Sequence, residues 1–180
     1  MKKALLAYVL VVAAIASAMY HCNRALPLRG EYEAMTWSEI KDNISVPAKP
    51  TGTWTLAYDY LKGPVLIRVE ASGKWSYAAG KQCGPDGDLN ALIGAAGTIL
   101  PEAPLGALIV KIGGSSAGAN DGTLKVVGSV GIVEVGKSLS GPVFLTINDE
   151  LKGMADNEGA ITAKLSIARA EDQEAPDVGS

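Results

Sequence analysis

The stretch AITAKLSIA, from Ala160 to Ala168, sets Ile161, Ala163, Leu165 and Ile167 on one side of an extended chain and Thr162, Lys164 and Ser166 on the other. Side chains of a strand point alternately to opposite faces, so this period-two pattern predicts a strand that buries one face and wets the other. The same alternation runs through Gly141 to Asn148, and Val65, Ile67 and Val69 alternate with Leu66, Arg68 and Glu70 between Val65 and Ala71. Thr53 to Tyr58, Leu105 to Ile112, Thr123 to Val127 and Gly131 to Val135 add shorter candidates, with Lys62-Gly63-Pro64 as a turn that makes the strands on either side of it antiparallel neighbours. The loop from Gly113 to Gly122 reads as a connector. About eight short strands at this spacing predict an all-β fold, a β-sandwich. Composition agrees: 21 Gly and only 6% aromatic residues fit tight turns between short strands better than a helical bundle.

The chain of 180 residues, 48% hydrophobic, has room for one core. Its ends read differently. Lys2 and Lys3 precede an uncharged apolar run from Ala4 to Tyr20, and Ala16-Ser17-Ala18 offers a small-residue cleavage pattern. At about 17 residues the run fits both a cleaved signal peptide and a retained single-span anchor, so residues 1–20 direct the chain to a membrane. The preceding positive charge orients the remainder outward, to a periplasmic or extracellular location. Residues 21–50 read as a linker holding one helical turn, because Thr36 and Glu39 have capping-box spacing before Lys41. Residues 51–168 form the folded module, and 169–180, acidic and without an apolar face, form a disordered tail. Cys22 and Cys83 would close a loop of about 60 residues if they met in an oxidising compartment.

Several function classes fall away on residue type. A net charge of −3 with scattered Lys and Arg offers no stripe to neutralise a phosphate backbone, so no nucleic-acid partner is expected. His21 is the single histidine and lies beside the membrane segment, which removes a Ser-His-Asp triad from the module. Gly84-Pro85-Asp86-Gly87 lacks the Lys and following Ser or Thr of a phosphate loop and reads as a tight turn. The pairs Asp86 with Asp88 and Asp149 with Asp156 are the carboxylates a glycoside hydrolase would need, but they read better as turn formers or metal ligands, and the protein is not expected to be an enzyme. Trp54 and Trp75 read as core residues, and Trp37 as an anchor at a membrane interface or partner surface.

Between the last two strands lies TINDELKGMADNEG, Thr146 to Gly159, with Asp149, Asp156 and Asn157 collected in a Gly-containing loop. Turn chemistry alone uses these residue types, and so does calcium, a hard cation that takes carboxylate, amide and main-chain oxygens together. Three segments occur in a recognisable order: GKWSYAAGKQCGPDGD (Gly73 to Asp88), APLGALIVKIG (Ala103 to Gly113) and LTINDELKGMADNEGAITAKLSI (Leu145 to Ile167). From Trp54 to Ile167 the chain resembles the PA-I galactophilic lectin family, also called LecA-like.

The resemblance implies a galactose-binding-like jelly roll and a calcium ion held between two loops, with sugar hydroxyls completing the shell. By position it implies Asp149 as first ligand, Asp156 and Asn157 where the family has a pair of Asn ligands, and carbonyls from Gly153 and Tyr77. Asp149, Asp156 and Asn157 would then also border the sugar. Asp156 in place of Asn adds negative charge near the cation, which favours calcium. The galactose-binding members use a His and a Gln in the loop after the Gly-Pro-x-Gly segment, where this chain reads Leu89-Asn90-Ala91-Leu92-Ile93-Gly94. Galactose preference is therefore not expected. A calcium-dependent, lectin-like carbohydrate-binding module on the outer side of a membrane is the first expectation. The alternative is a membrane-anchored accessory subunit of a protein complex, with partner subunits and a structural calcium.

Overall fold

The computed structural model describes residues 35–91, 97–118 and 121–169. Nine strands and one short 3-10 helix make up the described elements: β1 (Ser38–Pro47), β2 (Thr55–Lys62), β3 (Val65–Ala78), β4 (Lys81–Cys83), β5 (Leu108–Ile112), β6 (Thr123–Val126), β7 (Val130–Val135), β8 (Ser140–Ile147), the 3-10 helix (Gly153–Asp156) and β9 (Glu158–Ala168). They form two antiparallel sheets. One runs β1-β9-β3, with β7 and β4 pairing along the other edge of β3; the second runs β2-β8-β5-β6. The described residues are all-β but for that single helical turn, as the alternation predicts. Among the described residues no helix is long and apolar enough to cross a membrane. The apolar run of residues 4–20, His21, Cys22 and the acidic tail from 170 onward lie outside the described residues.

The expected inward faces are the buried ones. Val65, Ile67 and Val69 are buried on β3, and Ile161, Ala163, Leu165 and Ile167 on β9. These two strands pair from Leu66↔Ala168 to Ser76↔Glu158 and form the spine of their sheet. Across the core, Leu108, Ile109, Val110 and Ile112 of β5 and Val143, Leu145 and Ile147 of β8 are buried. Removing this apolar surface from water supplies the main drive for the two layers to close. Trp54 and Trp75 are core residues, and the indole N–H of Trp75 donates to the Gly106 carbonyl at 2.8 Å.

Two local expectations are corrected. The helical turn expected from Thr36 to Lys41 is absent: Ser38–Pro47 is β1, which pairs antiparallel with β9 from Ser38↔Ile167 to Pro47↔Ala160. The capping-box spacing of Thr36 and Glu39 is outweighed because β9 presents an edge whose backbone groups need partners, and Ile44 and Val46 bury themselves when they supply them. The strands around Lys62-Gly63-Pro64 are not neighbours. β2 pairs with β8 and β3 with β9, so this turn carries the chain from one sheet to the other.

The Gly113 to Gly122 segment does more than connect. Lys111, fully buried on β5, donates through Nζ to the Ser115 carbonyl at 2.6 Å, to the Gly118 carbonyl and to Asp121 Oδ1 at 2.7 Å. Its ammonium also sits over the rings of Trp54 and Phe144, 4.7 and 5.1 Å from their centroids. A buried charge is tolerated when paired and hydrogen-bonded on every side, and here the loop folds back to do that. Trp37 meets a cation in the same manner, with the Arg68 guanidinium 4.7 Å from its ring centroid.

Candidate functional site

The site is built where β8 ends and β9 begins. Asn148 leaves β8 fully buried and fixes the neighbouring segment: its Oδ1 accepts from the Leu100 N–H at 2.9 Å, and its Nδ2 faces the carbonyls of Leu100 and Pro104 at 3.0 and 3.1 Å. Its main chain closes the frame, with Asn148 N donating to the Ala107 carbonyl and Gly106 N to the Asn148 carbonyl. Asn148 carries no mark in the sequence, because a lone Asn at a strand end resembles any turn residue. It anchors the strand end that presents Asp149.

Asp149 and Asn157 come together directly. Asp149 Oδ1 accepts from the Glu150 N–H at 2.7 Å, and Oδ2 from Asn157 Nδ2 at 2.8 Å. Asn157 Nδ2 also donates to the Ala48 carbonyl at 3.2 Å, a contribution from β1's end that the sequence does not signal. Both residues are buried, at 6% and 3% exposure. Burial, more than any other cause, raises the Asp149 carboxyl above the usual carboxylate range; Asp156 and Glu150 push the same way, against the hydrogen bonds from Asn157 and Glu150 N–H.

Gly153 opens the 3-10 helix, and a Cβ built on it would lie 3.6 Å from Asp149 Oδ1, so the glycine borders the carboxylate. Asp156 closes the same helix with an exposed side chain, within electrostatic reach of Asp149. The 3-10 helix packs against β3, the strand that carries Tyr77. The side chain of Tyr77 points its hydroxyl elsewhere, donating to Asp88 Oδ2 at 2.5 Å, and that bond pushes the phenol up to about 12. Asp88 is held below the usual range by the same bond and by the Asn90 N–H. Tyr77 thereby ties β3 to the loop that follows the Gly84–Gly87 turn. Asp86 accepts from the Ser129 N–H and hydroxyl, so each acid of that pair is engaged with its own partner. Cys83 carries a free thiol, 3.5 Å from the Gly106 carbonyl, and burial pushes it up to about 11.

Among the described residues no three His, Cys, Asp or Glu side chains gather as a metal cage. An oxygen site of the calcium kind needs fewer acids, since amide and main-chain oxygens complete it. Asn157 Oδ1 tests the fit. It is buried and has no hydrogen-bond partner. Reversing the amide would not relieve it, because the oxygen would then face two acceptors, the Ala48 carbonyl and Asp149 Oδ2. A buried, unpartnered oxygen costs about 1–3 kcal/mol. Beside a carboxylate that burial already disfavours, such an oxygen fits an oxygen-seeking cation, which Asp149 and Asn157 could hold, with Gly153 and the exposed Asp156 in the same loop.

The chain is similar in structure to a lectin domain. That solved structure, described as "EclA N-terminal domain; PllA-like lectin", shares 18% identity, with 71% of this chain and 95% of that chain covered and a TM-score of 0.49. No family model and no curated protein matches the sequence.

Proposed function

We propose that the protein is a calcium-dependent carbohydrate-binding module acting on the outer side of a membrane. One observation carries the proposal: at the end of a β-sandwich strand the buried Asp149 carboxylate is clasped by Nδ2 of the buried Asn157, whose Oδ1 is left without a partner. A calcium ion, when bound, would supply open coordination positions for vicinal sugar hydroxyls. Asp149 and Asn157 hold the cation side, the exposed Asp156 borders the entrance, and the Gly153 and Tyr77 carbonyls are the main-chain oxygens the resemblance assigns. No bond is broken in such binding, so no general acid or base is required. The outward location rests on Lys2, Lys3 and the apolar run to Tyr20.

The test is calorimetric calcium titration of the full chain followed by a glycan array in calcium and in chelator. Calcium binding lost in Asp149→Ala, together with chelator-sensitive glycan binding, supports the reading. Glycan binding unchanged in that variant overturns it.

A second reading is favoured by the loop after the Gly84–Gly87 turn, which lacks the His and Gln of galactose binders and leaves Leu89 72% exposed. In it the calcium is structural and the module is a membrane-anchored accessory subunit. Calcium binding with silence on the array, and Met1 to Ala18 retained in the mature protein, would favour this alternative.

A further inference from the structure

A cavity of about 310 Å³ opens between the segment after β1 and the 3-10 helix, at the lower end of the ligand-pocket range. Its floor is the buried Met154, and Pro50 and the half-exposed Leu151 form apolar walls. Lys49 and Lys152 are the charged residues of its lining. Asp149, Glu150 and Asp156 lie outside it. Lys49 Nζ donates to the Ala155 carbonyl at 2.7 Å, so this lysine straps the 3-10 helix to β1 and holds its charge at the rim. Lys152 is exposed on the opposite wall. The same two segments also hold the clasp: Ala48, next to Lys49, is the residue whose carbonyl accepts from Asn157.

Resting on the carbohydrate-binding reading, we propose that this cavity selects glycans bearing an anionic group, a carboxylate or a sulfate, with Lys49 and Lys152 as the specificity-determining residues. The apolar floor suits the carbon face of a sugar ring, and the two ammonium groups suit an acid carried on it. Selectivity then comes from the Lys49 side of the metal loop, which accounts for the Leu89 to Gly94 loop having no His or Gln to spare for it. Asp149, Glu150 and Asp156, in the same loop as the lining residues Leu151 and Ala155, would repel such a ligand in the absence of the cation, so calcium and anionic sugar would bind together.

The experiment presents the full chain to an array of neutral, uronic- or sialic-acid-bearing and sulfated glycans, in calcium and in chelator. The wild type is compared with Lys152→Glu and with Lys137→Glu, which makes the same charge change at an exposed position outside the cavity. Calcium affinity of each is measured separately. Preferential, calcium-dependent binding of acidic glycans is expected, weakened about tenfold or more in Lys152→Glu and unchanged in Lys137→Glu, with calcium affinity retained. The carboxylated and sulfated arms show which acid is bound. Calcium-dependent binding confined to neutral glycans, or equal loss in both variants, overturns the inference and leaves the carbohydrate reading standing. Acidic-glycan binding that ignores chelator but is lost in Lys152→Glu overturns the calcium reading and the joint binding, and upholds the assignment of the acid to this cavity. Silence toward every glycan overturns both.

Discussion

Asp149 keeps a carboxylate in a buried place beside Asp156 and Glu150, and the cost of that arrangement is what a cation would relieve. A ligand bound only by the folded state stabilises it by about 2.7 kcal/mol when present at a hundred times its dissociation constant. Calcium in such excess is therefore expected to raise the midpoint of thermal unfolding of the wild type and leave that of Asp149→Ala where it is, as read by differential scanning calorimetry. Lys111 poses the opposite problem, a buried cation whose carboxylate partner is Asp121, 40% exposed at its side chain. Asp121→Ala leaves the ammonium buried with only carbonyls and ring faces, and is expected to lower the unfolding midpoint more than removal of the charge itself. Lys111→Met removes the buried charge itself, and Asp121 is exposed enough to be solvated, so it is expected to cost less, about 1–2 kcal/mol. Chemical denaturation of both variants checks the order; a costlier Lys111→Met would show that the ammonium's hydrogen bonds outweigh its desolvation.

Among the elements, the Gly84–Gly87 turn bridges the core and the candidate site, with Gly87 N donating to the Gly84 carbonyl at 3.0 Å and the Tyr77–Asp88 bond immediately after. Gly87 has φ +79°, and a Cβ there would meet Ala107 N at 2.7 Å and the Leu105 carbonyl at 2.8 Å. Gly87→Ala is expected to cost on the order of 2 kcal/mol or more and to weaken the Tyr77–Asp88 clasp. Denaturation and tyrosine titration together read this: the midpoint should fall, and the Tyr77 phenol should come down from about 12 toward its ordinary value. Strands with one wet face, such as β3 and β9, were legible in the sequence because alternation leaves a mark on every second residue. β1 was not, since an edge strand reading SEIKDNISVP buries few side chains fully and is held by its backbone partners in β9. The exchange of partners around Gly63 was equally hidden, because a turn's residue types state that the chain reverses and not which sheet it enters. At the site, Asp149 and Asn157 were legible as residue types, whereas the Ala48 carbonyl is a backbone acceptor and the Asn148 amide a tertiary anchor, neither with a sequence mark.

For the whole molecule the acids divide by sign. Asp121, held at about 2 by the Lys111 ammonium and Ser115, and Asp88, lowered by Tyr77, favour the folded state in their charged forms. Their contribution is present above the ordinary carboxyl value of 3.8 and is lost as pH falls through their depressed values. Asp149 runs the other way. Its raised folded value means that the protonated form is favoured by folding, so its cost is fully present above that value and is relieved as pH falls through it. Without calcium, Asp149 alone would make stability rise as pH drops through its raised value toward 3.8, with loss below that as Asp121 and Asp88 protonate. With calcium the first trend should invert, because the cation needs the ionised carboxylate and protons compete for it. The gap between unfolding midpoints in calcium and in chelator is therefore expected to be widest near neutral pH and to close as pH falls through the Asp149 value. Scanning calorimetry over a pH series measures that gap directly. A gap that stayed constant down to pH 3.8 would place the calcium away from Asp149, since no site built on that carboxylate can hold the cation and the proton at once.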